Sequence, residues 1–206
     1  MTTNRILRLL MVATTCLLFS SCFDSKVPLS DPGKSKADER LAGVWRQRGE
    51  SGEVTYYHFG RADDRLPASV MRVIGIKYTP DGKMEQLDDL LVFPSTIGDK
   101  TYLNVTSGQK PQFRLVEERG WSPETVNTYS IFRYQFTGDV LTVQWFDSEA
   151  KKRAVEAGKI KGKVEKDQDG NARVHFTDTT ENLAKFVTEA GDDLYSKDVV
   201  RLERVK

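Results

Sequence analysis

Val126-Asn-Thr-Tyr-Ser-Ile-Phe-Arg-Tyr-Gln-Phe136, a break at Thr137-Gly138-Asp139, and Val140-Leu-Thr-Val-Gln-Trp-Phe146 read as two β-strands joined by a tight turn. Phe132, Tyr134 and Phe136 fall on one face of the first strand, and Leu141, Val143 and Trp145 on one face of the second. Side chains alternate across a strand, so this spacing builds one apolar surface from two neighbours. Outward from this hairpin the pattern repeats. Val54 to Phe59, Val70 to Tyr78, Leu90 to Phe93, Thr101 to Thr106 and Val199 to Val205 are short runs rich in β-branched and aromatic residues. Pro80-Asp81-Gly82, Gly98-Asp99 and Asp169-Gly170-Asn171 punctuate them as turns.

Two helices are predicted in the C-terminal part. One runs from Ser148 as cap to Gly158, with a thin stripe of Ala150, Ala154, Val155 and Ala157 that places it at the periphery. The other is capped by Asp178 or Thr179 and stopped by Gly191, and Leu183, Phe186, Val187 and Ala190 give it one apolar face for docking on the sheet. A last strand then rejoins the sheet. A meander of this size has two bare edges unless it curls shut, so the expected fold is mainly β: an antiparallel meander closing as a barrel. At Gly43-Val44-Trp45 the chain resembles the Gly-x-Trp opening of lipocalins. The resemblance implies a lipocalin-like barrel with a helix before its final strand, met here near 180–190. It also implies an arginine over Trp45, for which Arg201 and Arg204 qualify, so that Gly43, Trp45 and one of these arginines close the barrel. The stretch from Ala154 to Val187 is also similar to bacterial lipoproteins of no assigned activity, which implies no chemistry.

The N-terminus gives an address. Arg5 and Arg8 precede an apolar run from Leu9 to Phe19, 11 residues and too short to cross roughly 30 Å of hydrocarbon. It reads as a signal peptide over residues 1–21. Leu18-Phe19-Ser20-Ser21-Cys22 resembles the lipobox of bacterial lipoproteins, although Phe19 stands where Leu is commonest. That resemblance implies cleavage before Cys22 and acylation of its thiol and amine. Phe23, where an Asp would signal retention, implies outer-membrane delivery in enterobacterial-type sorting, with the domain facing the periplasm. Cys16 leaves with the signal, so the mature chain has no partner for a disulfide and relies on its core. Residues 22–40 are expected to be a lipidated terminus and flexible tether, since Ser, Asp, Lys and Pro dominate 23–39; such a tether reaches roughly 20–25 Å. Residues 41–206 then form one barrel domain.

Composition sets the remaining limits. The 206 residues carry 31 Lys+Arg against 30 Asp+Glu, a formal charge of +1, which argues against nucleic-acid binding by general electrostatic attraction. A hydrophobic share of 38% is too high for a disordered chain and too low for a multi-span membrane protein. His58 and His175 are the two histidines, each on a strand, and neither belongs to a metal-binding or nucleophile motif. Motifs for nucleotides, dinucleotides and serine hydrolases do not occur, so no cofactor and no metal is expected. Asp88-Asp89, Glu117-Glu118 and Asp192-Asp193 lie in or beside predicted turns and read as solvated charges. Lys159, Lys161 and Lys163 alternate with apolar residues and are expected on the wet face of one strand. Asn104-Val105-Thr106 matches a glycosylation sequon, a pattern that chance supplies often.

The expectation is therefore a non-enzymatic, lipid-anchored envelope protein that binds a small apolar ligand or a protein partner. Tyr134, Trp145 and His58 are candidates to line a ligand cavity, although a packed core is the commoner use of such aromatic rows. Two competing readings are an assembly or inhibitor module working through an exposed Trp121 in loop 107–125, and a hydrolase of cell-wall or lipid material using carboxylates with His58.

Overall fold

The computed structural model describes residues 23–107, 116, 118–122, 125–126, 128–166, 170 and 172–206. The expected signal peptide over 1–21, Cys22, Glu117, and Asp169 and Asn171 of an expected turn lie outside the described residues. Among the described residues these strands and α-helices follow in chain order: β1 (Gly43–Arg48), β2 (Val54–Arg61), β3 (Met71–Tyr78), β4 (Met84–Ile97), β5 (Lys100–Ser107), β6 (Ser130–Thr137), β7 (Val140–Trp145), α1 (Ser148–Glu156), β8 (Gly162–Lys166), β9 (Ala172–Phe176), α2 (Thr180–Ala190) and β10 (Val200–Arg204). Eight of the strands close into an antiparallel barrel in the order β1-β10-β7-β6-β5-β4-β3-β2. The closing ladder pairs Trp45 with Arg204 and Arg46 with Glu203. Every barrel strand therefore has two neighbours, and the edges that an open meander would expose are gone.

The two aromatic and aliphatic rows around Gly138 form the β6–β7 hairpin, with Phe132 opposite Trp145, Tyr134 opposite Val143 and Phe136 opposite Leu141. The β8–β9 pair is not part of the barrel; it forms a separate two-stranded sheet. β4 is much longer than Leu90–Phe93 because Glu85, Asp88 and Asp89 belong to it. Asp88 and Asp89 are thus within a strand and not at a turn. Asp89 points outward to Arg72 at 2.7 Å, whereas Asp88 shares the inward parity of Leu90 and Val92.

Two apolar cores result. The barrel interior holds Leu41, Trp45, Tyr57, Phe59, Val73, Val92 and their neighbours. The second core lies outside the barrel wall, where Leu91 and Phe93 of β4, Tyr102 of β5 and Ile131 of β6 meet Phe146, Phe176, Leu183 and Phe186. α1 and α2 supply part of that cover. Asp147, one residue before the expected cap, accepts from the Ala150 N–H at 2.8 Å, and Thr179 accepts from the Asn182 N–H at 3.2 Å. Each such cap satisfies an otherwise orphaned donor and is worth about 1 kcal/mol. α1 is less peripheral than its thin stripe suggests, since Ala150, Lys151 and Ala154 are buried.

The segment expected to be a loose tether is built into the domain. The Asp24 N–H donates to the Tyr129 carbonyl at 2.7 Å, and the Asp24 carbonyl accepts from the Phe176 N–H at 2.7 Å. The Asp24 carboxylate accepts from the Ile131 N–H at 2.9 Å and meets Lys151 Nζ at 2.6 Å. Both side chains of this ion pair are nearly enclosed, with 9% and 6% of their surface exposed. Farther along, the Leu29 N–H donates to Asn104 Oδ1 at 2.8 Å, and Ser69 Oγ donates to the Pro32 carbonyl at 2.7 Å. Polar composition predicted mobility; the backbone and carboxylate of Asp24 instead complete a hydrogen-bonded bridge between β9 and the start of β6.

Candidate functional site

The interior is the first place to look for a ligand. Inward positions of seven of the barrel strands, β2 to β7 and β10, together with Leu41 surround a cavity of about 40 Å³, lined by side chains such as Tyr57, Val92, Phe132, Tyr134 and Val143. Small-molecule sites run from roughly 300 to 1,000 Å³, so the barrel is filled for practical purposes. An apolar void of this size stays dry.

One end is sealed. The Trp45 side chain is fully buried and its Nε1–H donates to the Leu41 carbonyl at 2.8 Å. The Arg204 guanidinium stands 4.3 Å from the centre of the Trp45 ring and donates to the carbonyls of Ala42 (2.9 Å) and Arg40. Of the two candidate arginines it is Arg204 that meets Trp45; Arg201 is exposed on β10. Gly43 has φ +118°, and a Cβ there would sit 3.0 Å from Arg204 Nη1, so its lack of a side chain permits the closure. Tyr134 is buried, and its hydroxyl donates to Asp38 Oδ2 at 2.9 Å. Burial works to raise the Asp38 carboxyl, but hydrogen bonds from Arg40 and Tyr134 hold it below its ordinary range. Burial above all, and then the neighbouring Asp38 carboxylate, push the Tyr134 hydroxyl up.

Toward the other end the interior admits a charge. A Cβ on Gly75 would lie 3.2 Å from Asp88 Oδ2 and 3.3 Å from the Tyr57 ring, and the β3–β4 ladder shifts register there. Glycine leaves room for the carboxyl in the mouth. Burial raises the Asp88 carboxyl to about 6.

The barrel wall outside is covered on one half and uncovered on the other. Val54, Tyr56 and His58 on β2 face outward with Ile74, Ile76 and Tyr78 on β3, their cross-strand partners. Tyr56 and Tyr78 meet edge to face with ring centres 5.8 Å apart. Tyr78 is 40% exposed and Met84, its partner on β4, 66%. Val54, Tyr56, His58 and Tyr78 frame an open groove of about 510 Å³. A second open groove, about 570 Å³, runs between α1 and α2 past Arg153, Lys159, Phe186 and Glu189.

Of the expected lining residues, Tyr134 reaches the interior cavity, Trp145 packs half-buried in the interior core, and His58 does neither. His58 lies between Tyr57 and Phe59, both of which point inward, so alternation sends it outside. Trp121 is no exposed anchor either, since it packs edge-on against Phe93 at 5.5 Å within the outer core. Asn104 is fully buried, donating to the Phe93 carbonyl and Ser95 Oγ, so the sequon is structural. Lys159 precedes β8 and lines the helical groove, so it does not join Lys163 on a strand face. Asp192, grouped with solvated carboxylates, is held below its ordinary range by Arg133 and Lys100. Sequence reading missed Asp24, Lys151 and Asp38; Lys151 alone carried a signal, as a charge on the apolar stripe of α1. Among the described residues no group of His, Cys, Asp and Glu is placed to hold a metal ion, and no helix is long and apolar enough to cross a membrane.

No family model, no curated protein and no solved structure matches the chain.

Proposed function

We propose that this is a lipid-anchored, non-enzymatic protein of a bacterial envelope, held on the outer membrane through Cys22 and facing the periplasm, and that it acts by gripping a protein partner. The observation that carries the second half is the contrast between a barrel interior with about 40 Å³ of space and an uncovered aromatic face at Tyr56 and Tyr78. Adjacent exposed apolar side chains on an otherwise charged surface mark contact sites, and tyrosine is well suited to them. Arg46 and Arg48 of β1 stand opposite Tyr56 and Val54; Arg46 is ion-paired with Glu203 at 2.6 Å, so the patch is flanked by a mixed charged rim with one basic charge in surplus. Kinship with lipocalins belongs to the same proposal, supported by Gly43, Trp45 and Arg204 at the sealed end, but it is the closure and not a ligand cavity that is shared. The hydrolase reading needs carboxylates beside His58, whose groove is walled by Val54, Tyr56 and Tyr78.

The test uses a photo-crosslinking residue in place of Tyr78 in cells of the native host, with another in place of Arg201 for comparison. A discrete protein adduct at 78, absent at 201 and lost when Tyr56 is changed to Ser, is the expected result. No adduct at 78, together with a small molecule retained by the native protein in mass spectrometry, would overturn it.

A further inference from the structure

The way the chain enters the domain assigns a membrane-facing side. Phe23 directly follows Cys22, and its ring stacks on His175 with centres 4.1 Å apart and planes 18° from parallel. His175 Nδ1 donates to the Phe23 carbonyl at 2.7 Å. One residue later Asp24 enters its buried pair with Lys151 and its backbone bridge to Phe176 and Tyr129. Consecutive Cα atoms are about 3.8 Å apart, so Cys22 has no slack between it and this fixed point.

We infer that the outer face of the β8–β9 hairpin lies against the phospholipid headgroups of the leaflet that holds the Cys22 acyl chains. This rests on the reading that Cys22 is acylated. The side chains around the exit point suit that surface. Lys163 is the cross-strand partner of His175, Lys26 donates its N–H to the Phe176 carbonyl, and the Lys161 carbonyl accepts from the Thr177 N–H; all three lysines are exposed. Glu165 opposite Arg173, and Asp178 beside Lys161, are the nearby acids, leaving a basic surplus for anionic lipid. A barrel docked in this way cannot swing as it would on a flexible tether, and its orientation on the bilayer is set by residues 23–26.

The test takes full-length protein matured in a bacterial host and reconstituted in vesicles of phosphatidylethanolamine and phosphatidylglycerol. A spin label is placed on Lys163→Cys or, for comparison, on Tyr78→Cys, both exposed positions. Collision with a nickel chelate carried on lipid headgroups should be several-fold more frequent at 163 than at 78. Inserting about ten Gly and Ser residues between Cys22 and Phe23, a reach of roughly 17 Å, should abolish that difference. Equal collision at both positions in protein whose mass shows acylated Cys22 overturns the docking alone. An unmodified Cys22 by mass overturns the anchor, and the docking with it.

Discussion

The two cores of this protein are specified in different ways. Inside the barrel, strand positions of one parity supply almost nothing but aliphatic and aromatic groups, and the polar ends of Trp45 and Tyr134 find partners at the sealed end. Outside the wall, apolar groups from distant parts of the chain are held together by buried polar connections: Asp24 with Lys151 and Ile131, and Asn104 with Leu29, Phe93 and Ser95. Hydrophobic burial drives both cores but has no direction. A strand ladder already fixes which residues face inward, so the interior can be made from apolar groups alone. The outer core joins a terminal segment, a separate hairpin and two helices to a curved wall, and it is the hydrogen-bonded keys that fix their placement.

The comparison can be broken at either core. Trp45→Ala leaves an unfilled volume at the sealed end and removes the ring under the Arg204 guanidinium, and we expect a loss of about 4 kcal/mol in urea denaturation. An unaltered midpoint would mean that Trp45 does not support the closure. Lys151→Met leaves the Asp24 carboxylate buried without its ion partner, at an expected cost of about 3 kcal/mol. Adding Asp24→Asn to Lys151→Met should recover part of that loss, because the uncompensated charge is then gone while a polar side chain remains for the Ile131 N–H. If the double variant is no more stable than Lys151→Met alone, the pair is not the key.

A smaller effect separates the two ends of the interior. Burial pushes the Asp88 carboxyl up to about 6, against an ordinary value of 3.8, so the folded chain binds an extra proton between those limits. Stability from this group is full below about pH 4 and is lost as pH rises through 6. Asp88→Asn should therefore flatten the stability profile across that window and raise stability at pH 7 by about 1 kcal/mol, discounted for solvent at the mouth. Asp38 has the opposite sign: its depressed carboxyl stabilises the sealed end above its ordinary range, and that stability is lost as pH falls below it. A profile unchanged by Asp88→Asn would place that carboxyl in water. Least of all, Tyr78→Ser should move stability by no more than about 0.5 kcal/mol, since the ring caps a surface and fills no core. A larger loss would make the uncovered face a structural element and not a contact site.

Much of the barrel was legible because alternation and turn chemistry are local. The Phe132, Tyr134 and Phe136 row, its Leu141, Val143 and Trp145 partner, and the turns at Gly98 and Gly138 carry their own meaning. The same alternation in Tyr57-His58-Phe59 already placed His58 outside, although a scarce histidine drew attention as a site. The full length of β4 was hidden by Glu85, Asp88 and Asp89, which resemble turn residues in composition but occupy a strand that leaves the barrel mouth. The packing of 23–38 was not legible at all. Its low apolar content signals a tether, and what holds Asp24 is a lysine 127 residues away on a helix. Trp121 failed similarly, because Gly and Pro around it describe the loop and not the Phe93 ring beneath.

The fate of the first 22 residues decides whether the domain is anchored as proposed. Intact-mass analysis of the protein isolated from membranes of its native host should give a chain that begins at Cys22 and carries added fatty acyl mass. A chain that begins at Met1, or one that begins at an unmodified cysteine, would contradict the anchor.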